Sequence, residues 1–325
     1  MKKRAKASKK QQVSNPQISK SKTGIPGYDE ISCGGIPAGR STLISGSSGS
    51  GKTIFACQFL VQGIVKYGEG GVFVTFEEDV QNLKSNVGSF DWNITEFEKS
   101  NMWRFVDASA PFKETSQIIG DFDLTGLLAR IAAAVKEIRG KRVVLDSIGA
   151  LFAYFENPTA LRHQLYKILS FLKEKNVTVI ITSERLEEYG LVSRFGIEEY
   201  ITDNVLILRN ILEHERRKRT IEILKYRGSQ HSRGEQAFII NSHSGIEIIP
   251  LERIALTQRS SDIRVTSGNT RLDRMCGGGF FKDSIILVSG ATGTGKTLTI
   301  TEFVKGDSRK SKRFYCWPMR RVLNN

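Results

Sequence analysis

Short apolar runs alternate with longer stretches of helical spacing over the first two thirds of the chain. Ser41-Thr42-Leu43-Ile44-Ser45, Gly70–Glu78, Met102–Asp107, Arg142–Ser147 and Val177–Thr182 read as buried strands. Between them Ile54–Leu60, Val80–Phe90, Leu124–Ile138 and Leu161–Lys175 carry apolar residues three and four apart, the spacing of helices that bury one face. Strand and helix in alternation predict an α/β fold, a mostly parallel twisted sheet with helices on both faces. Ala108–Gly120 is polar and loop-like. From Asp203 the helices stop, and Asn204–Arg209, Arg219–Arg227, Ala237–Asn241 and Gly245–Ile249 predict an antiparallel extension of that sheet.

Composition and charge narrow the picture. The 325 residues are 39% hydrophobic, enough for a sizeable core. No apolar run approaches the roughly 18 residues of a membrane span, and the basic N-terminus lacks the apolar centre of a secretory signal. We therefore expect a soluble, cytoplasmic protein with no membrane partner. Cys33, Cys57, Cys276 and Cys316 form no closely spaced pair and do not cluster with the histidines, so neither a disulfide framework nor a zinc site is expected. The net charge of +14 lies in the tails: residues 1–22 carry eight Lys and Arg and no acid, and residues 305–325 carry seven against Asp307. Residues 23–304 are formally neutral, which argues against a basic groove and against specific nucleic-acid binding. Residues 1–22 read as a disordered basic arm and 305–325 as an irregular basic tail.

The chemistry is concentrated at Gly46-Ser47-Ser48-Gly49-Ser50-Gly51-Lys52-Thr53, between an expected strand and an expected helix. This is the phosphate-loop pattern in the context it requires. Gly46, Gly49, Ser50 and Gly51 let backbone N–H groups turn towards an anion, and Ile54 continues the helix whose N-terminus favours negative charge. Lys52 reaches the β and γ phosphates, and Thr53 offers a hydroxyl to Mg²⁺. Asp146 ends an apolar strand later in the chain and suits the second Mg²⁺-holding position, through water. A nucleoside triphosphate with Mg²⁺ is the expected ligand. Glu77 and Glu78 end another strand, where either could orient an attacking water; the sequence does not say which.

The entry to this loop recurs. Ser267-Gly268-Asn269-Thr270-Arg271-Leu272-Asp273 leads to a second phosphate loop with Gly290, Gly293, Thr294, Gly295, Lys296, Thr297 and Leu298, at a constant offset that pairs Gly24 with Gly268 and Lys52 with Lys296. A tandem duplication is the reading. After about Val304 the periodicity ends without a second glutamate pair or a second Asp-ending strand, so the second copy is expected to be a stump.

The tandem loops, Phe76-Glu77-Glu78, Leu145-Asp146-Ser147, Glu184-Arg185-Leu186-Glu187-Glu188-Tyr189-Gly190 and Leu256-Thr257-Gln258-Arg259-Ser260-Ser261 together resemble the KaiC family, the circadian clock ATPases and kinases of the RecA-like superfamily. The resemblance implies a RecA-like phosphate-loop fold, with a first ATPase domain over 23–250, a linker over 251–266 and the opening of a second domain over 267–304. It implies a homohexamer with ATP between subunits, slow hydrolysis in the first domain, and KaiB as a clock partner. By position it gives nucleotide contacts to Gly49–Ile54 and Ser89, catalytic roles to Glu77 and Glu78, and a group acting on the neighbour's nucleotide to Lys225, Tyr226, Arg227, Ser229 and His231. Lys225 and Arg227 are the charge-stabilising donors. Two departures follow. Asn241-Ser242-His243-Ser244 is one residue longer than the family pattern and lacks its Asp, and the missing second-domain residues predict loss of the family's serine/threonine autokinase activity. The competing readings are a DNA-dependent RecA-like ATPase and an inactive copy acting as a decoy subunit.

Overall fold

A computed structural model describes residues 18–109, 124–152, 158–250 and 261–307. Residues 1–17 of the expected basic arm, most of the Ala108–Gly120 loop, most of the linker and residues 308–325 of the basic tail lie outside the described residues. The end of the expected disordered arm is instead ordered, because Lys20–Ser21 pair with Ile36–Pro37 and Lys20 Nζ donates to Ser32 O at 2.7 Å and Cys33 O at 2.8 Å. Residues 305–307, expected in the irregular tail, continue the helix that begins at Lys296. The chain divides into two compact units, residues 1–253 and 254–325.

The first unit opens with β1 (Lys20–Ser21), α1 (Tyr28–Ile31) and β2 (Ile36–Pro37). It continues with β3 (Ser41–Gly46), α2 (Lys52–Tyr67), β4 (Gly71–Thr75), α3 (Val80–Val87), α4 (Ile94–Lys99) and β5 (Trp103–Asp107). Then come α5 (Leu124–Glu137), β6 (Arg142–Asp146), α6 (Ile148–Phe152), α7 (Pro158–Glu174), β7 (Thr178–Glu184) and α8 (Glu198–Ile201). β8 (Asn204–Glu213), β9 (Arg216–Tyr226), β10 (Glu235–Asn241) and β11 (Gly245–Ile249) close it.

Nine of these strands form one sheet in the order β11-β10-β9-β8-β3-β7-β6-β4-β5. From β5 to β8 every neighbouring pair is parallel, and β8, β9, β10 and β11 add the antiparallel extension that the sequence predicts. The apolar runs have no polar face because the parallel strands are covered on both sides. Side chains alternate between two cores, as the period of two requires. Ile44, Phe73 and Val144 pack with Phe55 and Phe59 of α2, while Leu43, Val72, Val74, Val143 and Leu145 pack with Leu127 and Ile131 of α5 and Leu165 of α7.

Two connections place the chemistry. β3 leads through the glycine-rich loop into α2, whose last turn ends at Gly68 in the left-handed region (φ 63°). There the Gly68 N–H bonds Ile64 O and the Glu69 N–H bonds Gly63 O, which satisfies carbonyls the helix leaves open. The second connection, residues 185–203, joins β7 to β8 on the opposite side of β3. Both strands run parallel to β3, so this segment leaves at the C-terminal edge of the sheet, where Gly46 pairs Glu184, and returns at the N-terminal edge, where Thr42 pairs Asn204.

The second unit contains β12 (Arg264–Val265), α9 (Thr270–Met275), β13 (Phe280–Phe281) and α10 (Lys296–Asp307). Its Asp273 accepts from Ser267 N, repeating the bond of Asp29 to Thr23 N in the first unit, and from the hydroxyl of Thr266, one position before the one that serves Asp29 through Thr23 Oγ1. One difference from the repeat is plain. The stretch before the second loop, Ser284–Ser289, forms no strand. In the first unit the corresponding β3 is held between β7 and β8, whereas among the described residues of the second unit no strand lies beside it.

Candidate functional site

The loop after β3 is shaped by two glycines. A Cβ on Gly46 would stand 2.4 Å from Ser50 Oγ and 2.6 Å from Leu208 O, so the backbone passes where no side chain fits. Gly51 caps α2 with φ 99°, a left-handed conformation that glycine adopts without strain. Ser50 is buried beneath the loop. Lys52, 9% exposed, donates from Nζ to Gly46 O at 2.9 Å and Ser47 O at 3.0 Å, which folds its ammonium back over the loop. Burial lowers its pKa, and the charges of Glu184, Asp146, Glu77 and Glu188 oppose that shift. Ile54 packs against the α2-side core.

Thr53 Oγ1 donates to Asp146 Oδ2 at 2.9 Å, and Thr182 Oγ1 donates to Asp146 Oδ1. Burial raises the pKa of Asp146, with these two hydroxyls and Lys52 pulling it back. A hydroxyl and a carboxylate held together fit Mg²⁺, which takes one or two protein oxygens and fills its octahedron with phosphate and water. A cluster of three or more acidic or histidine ligands is absent among the described residues, and this chemistry needs none.

Glu77 and Glu78 follow β4, beside β6 in the sheet, and both line a cavity of about 240 Å³ with Lys52, Thr53, Asp146 and Glu184. Their surroundings differ. The Glu78 side chain accepts from Asn86 Nδ2 of α3 at 3.1 Å. The Glu77 carboxyl lies among the other charges of the site: burial raises its pKa, Glu184 and Asp146 raise it further, and Lys52 and the Ser147 hydroxyl oppose them. Ser89 lies just after α3 and is exposed.

Lys225, Tyr226, Arg227, Ser229 and His231 are elsewhere. Val205 of β8 pairs Lys225 and Asn204 pairs Tyr226, whereas the phosphate loop begins at Gly46, which pairs Leu208. At about 3.3 Å per residue along the strand and 4.8 Å per strand across, the Lys225 backbone lies roughly 14 Å from Gly46, at the opposite edge of the sheet. Lys225 Nζ donates to Glu199 O and Thr202 O, both at 2.7 Å, and Arg227 Nη2 donates to Tyr200 O at 3.3 Å. Arg227 borders a second cleft, of about 520 Å³, with Arg40, Lys173 and Asp203. Tyr226 turns inward, its hydroxyl donating to Gly35 O at 2.8 Å. His231 stacks on the Tyr226 ring, and Ser229 Oγ donates to Gln230 O.

The second loop keeps its local form. Lys296 Nζ donates to Gly290 O at 2.7 Å and Ala291 O at 2.6 Å, with Gly293 and Gly295 at φ 85°. Thr294 Oγ1 donates to Ala291 O, and Leu298 is exposed. Among the described residues Thr297 has no carboxylate partner equivalent to Asp146.

Thr182, Glu184 and Glu188 had no role assigned from the sequence. All three follow from position: they stand at or just beyond the C-terminal end of β7, the strand next to the one that feeds the loop.

Comparison with known proteins agrees with this arrangement. The family model described as "ATPase: KaiC" matches residues 21–253 and 265–313, covering both the complete unit and the repeated entry. The circadian clock protein KaiC3 of Synechocystis is 54% identical over 296 residues, 91% of this chain and 58% of that protein. The circadian clock oscillator proteins KaiC of Parasynechococcus marenigrum and Synechococcus elongatus are each 50% identical over 91% of this chain, covering 58% and 57% of their own lengths. The chain thus spans little more than half of these relatives. A RecA-like sheet, a phosphate loop backed by carboxylates, and half-identical relatives across nine tenths of its length place this chain in the KaiC family of ATPases.

Proposed function

We propose that the first unit binds Mg-ATP at Gly46–Ile54 and hydrolyses it, within a ring of identical chains whose sites are completed by the neighbour. The observation that carries this reading is the convergence of Lys52, Thr53, Asp146 and Glu77 on one cavity. Lys52 would move its ammonium from the loop carbonyls to the β and γ phosphates. Thr53 and Asp146 would hold Mg²⁺, which supplies charge neutralisation at the phosphate oxygens. Glu77 is the better candidate to orient water, because its carboxyl lies among Lys52, Asp146 and Glu184 with the Ser147 hydroxyl beside it, while that of Glu78 is held by Asn86 of α3. Ser89 and the second loop take the nucleotide contacts that the family pattern gives them.

The placement of Lys225 and Arg227 supports assembly. They lie too far from their own phosphate loop to serve it, and a head-to-tail neighbour would bring them to a second copy's nucleotide. Donors of this kind stabilise charge on the transferring phosphoryl group. The relatives above are clock proteins by name, and we propose the same setting for this chain, with KaiB as its partner and the cytoplasm as its compartment.

Light scattering with and without Mg-ATP tests the reading. The expected outcome is an ATP-dependent homohexamer that hydrolyses ATP, with both properties lost in Lys52→Ala. A monomer under all conditions would overturn the assembled-site reading.

A further inference from the structure

Glu198 is fully buried in the first unit, yet none of the roles above uses it. Its carboxylate accepts from Ser183 Oγ at 2.8 Å, Ser193 Oγ at 2.6 Å and Ile197 N at 3.1 Å. A buried carboxylate is costly unless its lone pairs are filled; here Ser183 Oγ and Ile197 N–H serve Glu198 alone, while the single Ser193 proton is shared with Glu199 Oε2, also at 2.6 Å. Glu198 opens α8; Glu199 O of that short helix and Thr202 O just beyond it hold Lys225, and Tyr200 O holds Arg227 together with an ion pair to Asp203 at 3.8 Å. An ammonium has three N–H bonds. Two are directed to Glu199 O and Thr202 O, which leaves the third for an incoming oxygen.

We propose that Glu198, with Ser183 and Ser193, is a positioning residue: it fixes α8 so that its carbonyls preorganise Lys225 and Arg227 for a phosphoryl group bound on the neighbouring copy. The proposal rests on the shared-site reading above. Ser183 ties Glu198 to β7, one residue before Glu184 in the cavity. Ser193 ties it to the segment that crosses the phosphate loop, where Glu188 accepts from Ser47 Oγ at 2.6 Å and from Asn210 N at 3.1 Å. The donors are therefore fixed through a buried bond network to the rigid sheet. Group placement of this kind matters because a misplacement of about 1 Å can cost about 10²-fold in rate.

The test uses full-length chains mixed in pairs. Glu198→Gln keeps the size of the side chain and its own phosphate loop, and it is expected to lower kcat about 10- to 100-fold. Its binding of a fluorescent ATP analogue and its ring mass should stay unchanged. Glu77→Gln/Glu78→Gln keeps its donors and loses hydrolysis. In a one-to-one mixed ring, about a quarter of the junctions combine intact carboxylates with intact donors. Turnover should therefore recover to about a quarter of the wild-type rate. Ser193→Ala removes one of the three donors and should show a weaker version of the same pattern, which keeps the test decisive if Glu198→Gln fails to fold. Lys225→Ala/Arg227→Ala mixed with the carboxylate-dead chain is the control. If the control pair recovers and the Glu198→Gln and Ser193→Ala pairs do not, or if these variants keep full activity alone, the positioning role is overturned while the shared site stands. If the control pair also fails to recover, the shared site falls and this inference falls with it.

Discussion

Lys52, Glu77 and Glu184 show how far single residues carry the argument. Lys52 was legible because the phosphate-loop spacing leaves one place for it; Glu184 was not, because a glutamate ending a strand reads as a solvated edge until β7 is seen beside β3. The sequence could not separate Glu77 from Glu78, since adjacent residues differ only in which neighbours they meet. The structure gives the difference a measurable form. Glu77→Gln should lower kcat about 10²- to 10⁴-fold, the usual worth of a positioned general base, and Glu78→Gln much less, as read by single-turnover hydrolysis. The pH profile adds a sign. Glu77 must be ionised to accept a proton, and its pKa is raised above the ordinary 4.5, so the acid limb of kcat/KM should lie above that value with activity rising through it as pH increases. Glu184→Gln removes a negative charge that raises that pKa, so it should move the limb to lower pH.

Among the elements, the parallel strands were legible throughout and the long hairpin only at the end nearer the sheet centre. β3, β4, β6 and β7 announce themselves as apolar runs because two covered faces leave no polar alternation. β8 and β9 extend past the expected Asn204–Arg209 and Arg219–Arg227, to Glu213 and back from Arg216. Their distal ends pair Ile211 with Lys218 and Leu212 with Arg217, so the run Glu213–Arg219 looks like a charged loop in sequence. The turn itself uses His214 and Glu215 at φ 48° and 63° in place of the glycine that usually signals such a turn. A second element is stapled by a residue that gave no warning. Arg142 begins β6 with a side chain 1% exposed, ion-paired to Glu69 at 2.7 Å and donating to Phe59 O and Lys22 O at 2.8 Å. Its guanidinium lies 4.4 Å from the Phe59 ring centroid. Replacing it with Met would strip partners from Glu69 and from two carbonyls. Glu69, 35% exposed, can turn to water, so the loss comes mainly from the unpartnered carbonyls, and urea unfolding of Arg142→Met should show about 1–3 kcal/mol.

At the scale of the whole molecule, a site shared between copies makes hydrolysis a property of assembly. Turnover per chain should rise with protein concentration and level off once rings are complete, following mass action. A turnover per chain that does not change with dilution, even below the concentration at which the ring mass is lost, would count against sharing. The strandless stretch of the second unit has a different consequence. Ile285 is 93% exposed and Leu287 89%, in the uncharged sequence Ser284-Ile285-Ile286-Leu287-Val288. Such a segment exposes backbone donors and acceptors together with side chains suited to cross-β stacking. Colloidal stability should therefore be limited here and not in the first unit: concentrated solutions would lose protein to fibrous aggregates, and a charge introduced by Ile285→Lys would keep it dispersed while leaving hydrolysis by the first unit untouched.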